Sequence, residues 1–528
     1  MKRFRKNNLV RMVSVLFTGL LASNSWAANS AKLPSLEALA GVAQPNIVVI
    51  LTDDHGWPDV GAQGHLKDVK TPHTDTLAAG GVRFTSGYST AAQCRPARAG
   101  LVTGRYQNKF GLVDNNAKAL PWSEYTMAER LRDAGYMTGL SGKWHLQGPI
   151  STDNKNPDGS NADPMTTKTF LTQVRELHRT GTDPGEPGYH GFTEYLSGKV
   201  ASYTASPDKN GKDLNGPVKH YSKEYRVEHQ AEWSVNFIKR HAKKKAPFFL
   251  YTSLYAPHVP LEAPQKYLDR FPGEMPERRR LALAMISSMD DAVGRITQTL
   301  EDEGVRENTL IVYLSDNGAP LKIKKRDDHP SVWGGWTGSV NEPWVGEKGM
   351  VTEGGIRVPF IINWPKKIPA GQVDPRPVIS LDVVATSVVA AGLELDERLD
   401  GVDLLPYIDG SNVDGKGTAD PHDALYWSWG GQYAVRSGDW KYIKTSTNEY
   451  LFDVTTEQHE NLNLIDKHPE LAQSLKKKIK TWSQLDVVNT GFDIPTQPNG
   501  KKYFDHYLNG INWDYPIPKQ AKKTKKKS

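Results

Sequence analysis

Four stretches of the chain are apolar at almost every position: NIVVILTDD (46–54), PFFLYTSL (247–254), TLIVYLSDNG (309–318) and VPFIINW (358–364). A strand with one wet face alternates apolar and polar residues. A strand covered on both faces does not, so these runs predict a largely parallel sheet buried between helices. Helical patterns lie between them, at 125–136, 221–244 and 278–304, and the first stops at Gly135. The alternation predicts an α/β fold: a large mixed, mainly parallel sheet sandwiched by helices. Residues 150–218 are rich in Pro, Gly, Asp, Asn and Lys and predict loops inserted above the sheet. Past residue 415 the texture changes. Residues 424–454 read as short strands joined by Gly-Asp and Thr-Asn turns, and an amphipathic helix follows near 468–484. The predicted organisation is a main catalytic domain over 44–414 and a smaller C-terminal subdomain over 415–510, with an antiparallel sheet and a helix.

The two ends have a different character. Lys2, Arg3, Arg5, Lys6 and Arg11 precede the apolar run MVSVLFTGLLA, then small residues at Ser25 and Ala27. This predicts a signal peptide over 1–27, a linker over 28–43, and an exported protein, periplasmic or secreted. The run falls short of the roughly 20 residues a membrane span needs, so no stable membrane insertion is expected. Six lysines between 519 and 527 form a basic tail over 511–528 that predicts disorder. These two ends carry more positive charge than the whole net excess of +6. The body between them is therefore acidic, which argues against a nucleic-acid partner. At 38% hydrophobic and 24% charged, the chain has the composition of an ordinary globular protein.

Asp53-Asp54 ends one apolar strand and Asp316-Asn317 ends another. Ligands in open α/β sheets bind beyond the carboxyl ends of strands. If the two strands are neighbours, three carboxylates and an amide converge, a donor set suited to a hard divalent cation, Ca²⁺ or Mg²⁺. An Asp after a strand can also do no more than cap the next turn.

The chain has one cysteine, Cys94, so no internal disulfide can form. Pro96 and the run after it predict a helix that starts at Cys94. A thiol at a helix N-terminus, with Arg98 four residues on, is expected to have a depressed pKa and to be nucleophilic. The alternative is an inert buried cysteine.

Here the chain resembles a known family. The stretch 94–104 follows C-x-P-x-R-x-x-L-x-T-G at Cys94, Pro96, Arg98, Leu101, Thr103 and Gly104, which is the signature of the type I, formylglycine-dependent sulfatases of the alkaline-phosphatase-like superfamily. GKWHL (142–146), APHVP (256–260), SDNG (315–318), EKGMVTEGGIRVPF (347–360) and YLFDVTTEQHENLNL (450–464) also resemble that family, in its order. The resemblance implies a sulfuric ester hydrolase. It implies that a formylglycine-generating maturase oxidises Cys94 to 3-oxoalanine, whose hydrate attacks sulfur, and that the second hydroxyl then expels sulfate. It implies Ca²⁺, rather than Mg²⁺, held by Asp53, Asp54, Cys94, Asp316 and Asn317. Arg98 would orient the diol, and Lys143 and Lys348 would hold sulfate oxygens. His145 would assist diol deprotonation and sulfate elimination, and His258 would protonate the leaving alcohol, for which a near-neutral pKa is suited.

Read without the family, a lone His or Lys at these places is ordinary structure or solvated surface. The basic cluster 322–326 and Trp333, Trp336 and Trp344 lie outside the general signature. Trp333 and Trp336 are read as a sugar-stacking subsite, with turn packing as the alternative. The expected substrate is a sulfated oligo- or polysaccharide, with algal carrageenan the specific expectation. Two other functions fit parts of the pattern: a phosphonate or phosphate monoester hydrolase of the same superfamily, and a secreted polyanion-binding protein with a silent site.

Overall fold

A computed structural model describes residues 44–117, 119–147, 186–323, 325–330, 335–410, 420–487, 492 and 494–512. The predicted signal peptide and linker, Trp333 and residues 513–528 of the predicted tail lie outside the described residues. Among those described, no helix is long and apolar enough to cross a membrane.

Ten strands form one sheet, in the spatial order Gln372–Asp374, Val82–Phe84, Phe360–Asn363, Thr309–Ser315, Asn46–Asp53, Phe248–Pro257, Met137–Gly142, Glu194–Gly198, Ser202–Ser206 and Val218–Tyr221. The five from Thr309–Ser315 to Glu194–Gly198 run parallel. Asn46–Asp53 sits at the centre, and its alternate side chains enter two separate cores. Ile47, Val49 and Leu51 pack on one face with Leu131 of helix Met127–Asp133 and Val384 of helix Asp382–Ala390. Val48 and Ile50 pack on the other with Phe237 of helix Arg226–His241 and Val293 of helix Glu277–Asp302. Each such side chain contributes about 1.5–3 kcal/mol of burial, which is why the strand is apolar at every position.

Two expectations change. Phe360–Asn363 is as apolar as the central strands but runs antiparallel to both its neighbours. A continuous apolar run reports burial on two faces and carries no information about direction. The second half of the predicted loop insertion is not loop. Glu194–Gly198 joins the sheet parallel to Met137–Gly142, and two antiparallel strands extend it to the edge. The outermost, Val218–Tyr221, is exposed along most of its length, so it needs few apolar residues.

The C-terminal region forms a four-stranded antiparallel meander, Leu425–Trp429, Gln432–Ser437, Trp440–Lys444 and Glu449–Asp453. Leu475 and Ile479 of helix Pro469–Ser483 cover it, and the same core takes Tyr88, Met350 and Val351 from the main body. A second helix, Pro498–Tyr507, follows in a stretch where no helix was expected.

Candidate active site

The parallel register brings the acid pairs together. Thr52 lies beside Ser315, so Asp53-Asp54 and Asp316-Asn317 leave adjacent strands at the same end of the sheet. Lys143 and His145 follow the strand Met137–Gly142 at that end, and His258 follows Phe248–Pro257. Cys94 is the first residue of helix Cys94–Thr103, as the proline spacing predicts. Asp54 and His145 both have φ of 63°, a left-handed conformation that non-glycine residues adopt at a cost and that clusters at functional sites.

The side chains then close on one another. Cys94 Sγ lies 3.4 Å from Asp53 Oδ1 and 3.7 Å from Asp54 Oδ1, and the Lys348 ammonium donates to it at 2.9 Å. Lys143 Nζ contacts Asp53 Oδ2 at 2.7 Å, and Lys348 pairs with Asp54. Arg98 forms an ion pair with Asp316 at 2.8 Å and donates to Ser253 Oγ at 2.6 Å and the Lys143 carbonyl at 2.8 Å. Asp316 Oδ1 accepts from the Asp54 backbone N–H, and Asn317 Nδ2 donates to Asp54 Oδ1. His258 Nε2 stands 3.6 Å from Asp54 Oδ2. Its Nδ1 lies 2.8 Å from the Val259 carbonyl, its ring stacks on Tyr255, and Arg226 donates to its own carbonyl.

Nearly all of this is buried, and burial sets the proton affinities. Burial raises Asp53, but Lys143, His258 and Arg98 outweigh it and hold that carboxyl well below the usual range. Burial works against the Lys348 charge, yet Asp54, Cys94 and Asp53 keep it well above the ordinary lysine value. Burial and Asp53 push Asp316 upward against the pull of Arg98. Burial, with Lys143 and Lys199, lowers His145 and keeps its ring neutral.

Two expectations about proton affinity are corrected. Burial, followed by Asp316, pushes the Cys94 thiol up, not down. The helix N-terminus is present, but desolvation of the sulfur and the nearby carboxylates outweigh it. Burial also lowers His258 to about 4, below the near-neutral value expected.

Asp53, Asp54, Cys94 and His258 each offer a ligand atom within 4.8 Å of the others. Asp316 and Asn317 join through Asp54, and the Asn317 side-chain oxygen is buried with no hydrogen-bond partner. Carboxylates with an orphaned amide oxygen fit a hard divalent cation. This grouping also includes His258, which the sequence reading did not count among the ligands.

The tryptophans fall elsewhere. Trp336 is 4% exposed, its Nε1–H donates to the Ser339 carbonyl, and its ring packs with Ala319, Leu321 and Val340. Trp344 is buried against the Arg357 guanidinium, 3.6 Å from its ring centre. For Trp336 this is the packing role that stood as the alternative to sugar stacking. Sequence reasoning missed Ser253, which anchors Arg98, and Tyr255 and Arg226, which orient His258. Nothing in their sequence surroundings signals those roles.

Comparison with known proteins adds the following. Residues 45–393 match the family model described as sulfatase, and 344–485 match that described as N-sulphoglucosamine sulphohydrolase, C-terminal. The chain is similar to arylsulfatase A from Homo sapiens, with 30% identity over 518 residues, 88% of this chain and 92% of that one. It is 31% identical over 420 residues to N-acetylgalactosamine-6-sulfatase from Rattus norvegicus, 73% of this chain and 70% of the relative. The crystal structure of Ps i-CgsB in complex with k-i-k-neocarrahexaose aligns with a TM-score of 0.67 at 26% identity, covering 88% of this chain and 97% of that one.

Proposed function

The chain belongs to the sulfatase family and is a sulfuric ester hydrolase, and from that premise we propose that it is exported and removes sulfate from a sulfated polysaccharide or its oligosaccharides, carrageenan first among them. The carbohydrate class is supported by the likeness to a carrahexaose-bound structure. The chemistry is supported by one juxtaposition: Cys94 Sγ lies among Asp53, Asp54 and Lys348 at the end of the sheet.

An unmodified thiol here is a poor nucleophile, because burial and the carboxylates hold its proton. The site suits a residue that acts after oxidation. In this reading a maturase converts Cys94 to 3-oxoalanine, which hydrates to a diol. One diol oxygen loses its proton with the help of His145, which passes it to solvent, and attacks sulfur as the bond to the substrate alcohol breaks. His145, kept neutral by burial, takes the proton of the second hydroxyl, the bond to sulfate breaks, and the aldehyde returns. Lys143 and Lys348 stabilise the charge on the transferring group, and Arg98 orients residue 94. His258 protonates the leaving alcohol. An incoming sulfate raises its pKa, since a nearby anion favours the protonated ring. Asp53, Asp54, Asp316, Asn317 and residue 94 would hold Ca²⁺, which when bound supplies a positive field for the nucleophilic oxygen and sulfate.

Peptide mass spectrometry of active protein tests this reading and should find an aldehyde at position 94. Cys94→Ala should lose sulfate release from an aryl sulfate by at least about 10³-fold. Full activity in that variant would end the proposal. Faster turnover of aryl phosphate than of aryl sulfate would instead favour the phosphoester alternative.

A further inference from the structure

A cavity of about 410 Å³ opens beside Lys348, the residue whose ammonium touches Cys94. That volume lies within the roughly 300–1,000 Å³ of ordinary ligand pockets. Its wall includes Asp114, Lys322, Trp429, Asn499 and Tyr503. Trp429 and Tyr503 are largely buried, whereas Asn499 is exposed. Aromatic rings among amides, with an acid and a base in the same wall, form a surface for sugar C–H groups and hydroxyls. Asp114 and Lys322 are the charges that face the cavity besides Lys348, which is already paired with Asp54.

Part of this wall, Asn499 and Tyr503, comes from a segment outside both family matches, which end by residue 485. Asn499 and Tyr503 stand on helix Pro498–Tyr507, and that helix is tied to the reaction site at two points. Gly500 packs against Gln432: a Cβ there would come within 2.6 Å of Gln432 Nε2. The Gln432 amide in turn donates to the Gly349 carbonyl and accepts from the Val351 N–H, fixing the loop that carries Lys348. At the other end of the helix, the Tyr507 hydroxyl lies 3.2 Å from Glu347 Oε1. The buried Glu347 carboxylate accepts the backbone N–H groups of Leu321, Lys322 and Ile323. The helix therefore sets the placement of Lys322 and Lys348 together.

We infer that this cavity is a subsite for a second sugar residue, adjacent to the sulfated one, and that helix Pro498–Tyr507 determines which glycan is accepted. Asn499 takes a ring hydroxyl, and Lys322 takes an anionic substituent on that sugar. Asp114 accepts a hydroxyl and repels an anion on its own side. The inference rests on the sulfatase reading above.

The test compares two kinds of substrate. Sulfate release is measured from an aryl sulfate and from carrageenan, chondroitin sulfate and heparan sulfate oligosaccharides of two to six sugars. Asn499→Ala and Lys322→Ala should each raise KM about tenfold on the oligosaccharide turned over fastest, the order expected for one lost polar contact. The loss on aryl sulfate should be at least fivefold smaller. Lys322→Ala should also weaken the salt dependence of the oligosaccharide KM. Equal losses on both substrates, no change on the oligosaccharide, or turnover of aryl sulfate with no oligosaccharide accepted would overturn the subsite and leave the sulfatase reading standing. No release from either substrate by the mature wild-type protein would sink that reading itself.

Discussion

Two regions meet at Lys348, and they are built by opposite means. On one side, Asp53, Asp54, Asp316, Lys143 and Arg98 are each at most 3% exposed, and every charge has a partner of opposite sign within 4 Å. On the other, Asn499 and Lys322 stand in a wet cavity, and neither side chain forms an ion pair among the described residues. Burial makes the first region strong, because fixed charges in a dry pocket act on a transition state without reorganising. It also makes that region intolerant, because removing one charge strands another. Exposure makes the second region weak per contact but free to exchange water for hydroxyls. Damage to the first should therefore fall on kcat, and damage to the second on KM.

The harshest test of that contrast is Asp54→Asn. Asn tolerates the left-handed backbone at φ 63°, so the chain path is kept while one charge is lost. Lys348 and His258 then face a neutral amide. The expected loss is about 10³-fold in kcat on aryl sulfate, with the circular dichroism spectrum unchanged. A loss below tenfold would mean that the buried charges are not what drives the reaction.

The same contrast explains what could be read from the sequence. The acids and the cysteine of the buried region were legible because each stands at the end of a regular element, whereas Arg98, inside its helix, and Lys143 were assigned roles only through the family resemblance. Apolar runs mark the strands, the acids mark their ends, and the proline after Cys94 marks the helix start. The direction of Phe360–Asn363 was not legible, because apolarity counts covered faces and not orientation. The Cys94 proton affinity came out with the wrong sign, because helix position is local while desolvation depends on the whole fold. Trp336 was misread because a tryptophan in a polar loop looks the same whether it faces sugar or packs beneath the chain. The residues that do line the cavity come from near 114, 322, 429 and 499, and no pattern within any one of those stretches points to the others.

Cation removal gives the next largest effect. If Asp53, Asp54, Asp316 and Asn317 hold Ca²⁺, protein stripped by a chelator should regain about 2.7 kcal/mol of stability at 100 times the dissociation constant. Calorimetry would read this as a rise in Tm on adding Ca²⁺, and the rise should shrink in Asp54→Asn. If Ca²⁺ leaves Tm unchanged in both proteins, the buried region is a self-contained ion-pair cluster and the contrast needs another basis.

The smallest effect tests whether the wet region has internal order. The Tyr507 hydroxyl touches no cavity surface, and its route to substrate runs through Glu347 to the Lys322 backbone. Tyr507→Phe removes one hydrogen bond, worth about 1 kcal/mol, which corresponds to roughly a fivefold rise in the oligosaccharide KM. A merely structural tyrosine would lower Tm without that rise. The decisive measurement is the double variant with Lys322→Ala. If Tyr507 acts by positioning Lys322, its loss should cost little once the Lys322 ammonium is gone, so the two effects should fall short of their sum. Full additivity would show that helix Pro498–Tyr507 and the Lys322 loop contribute independently, and the cavity wall would then be two unrelated surfaces that happen to face each other.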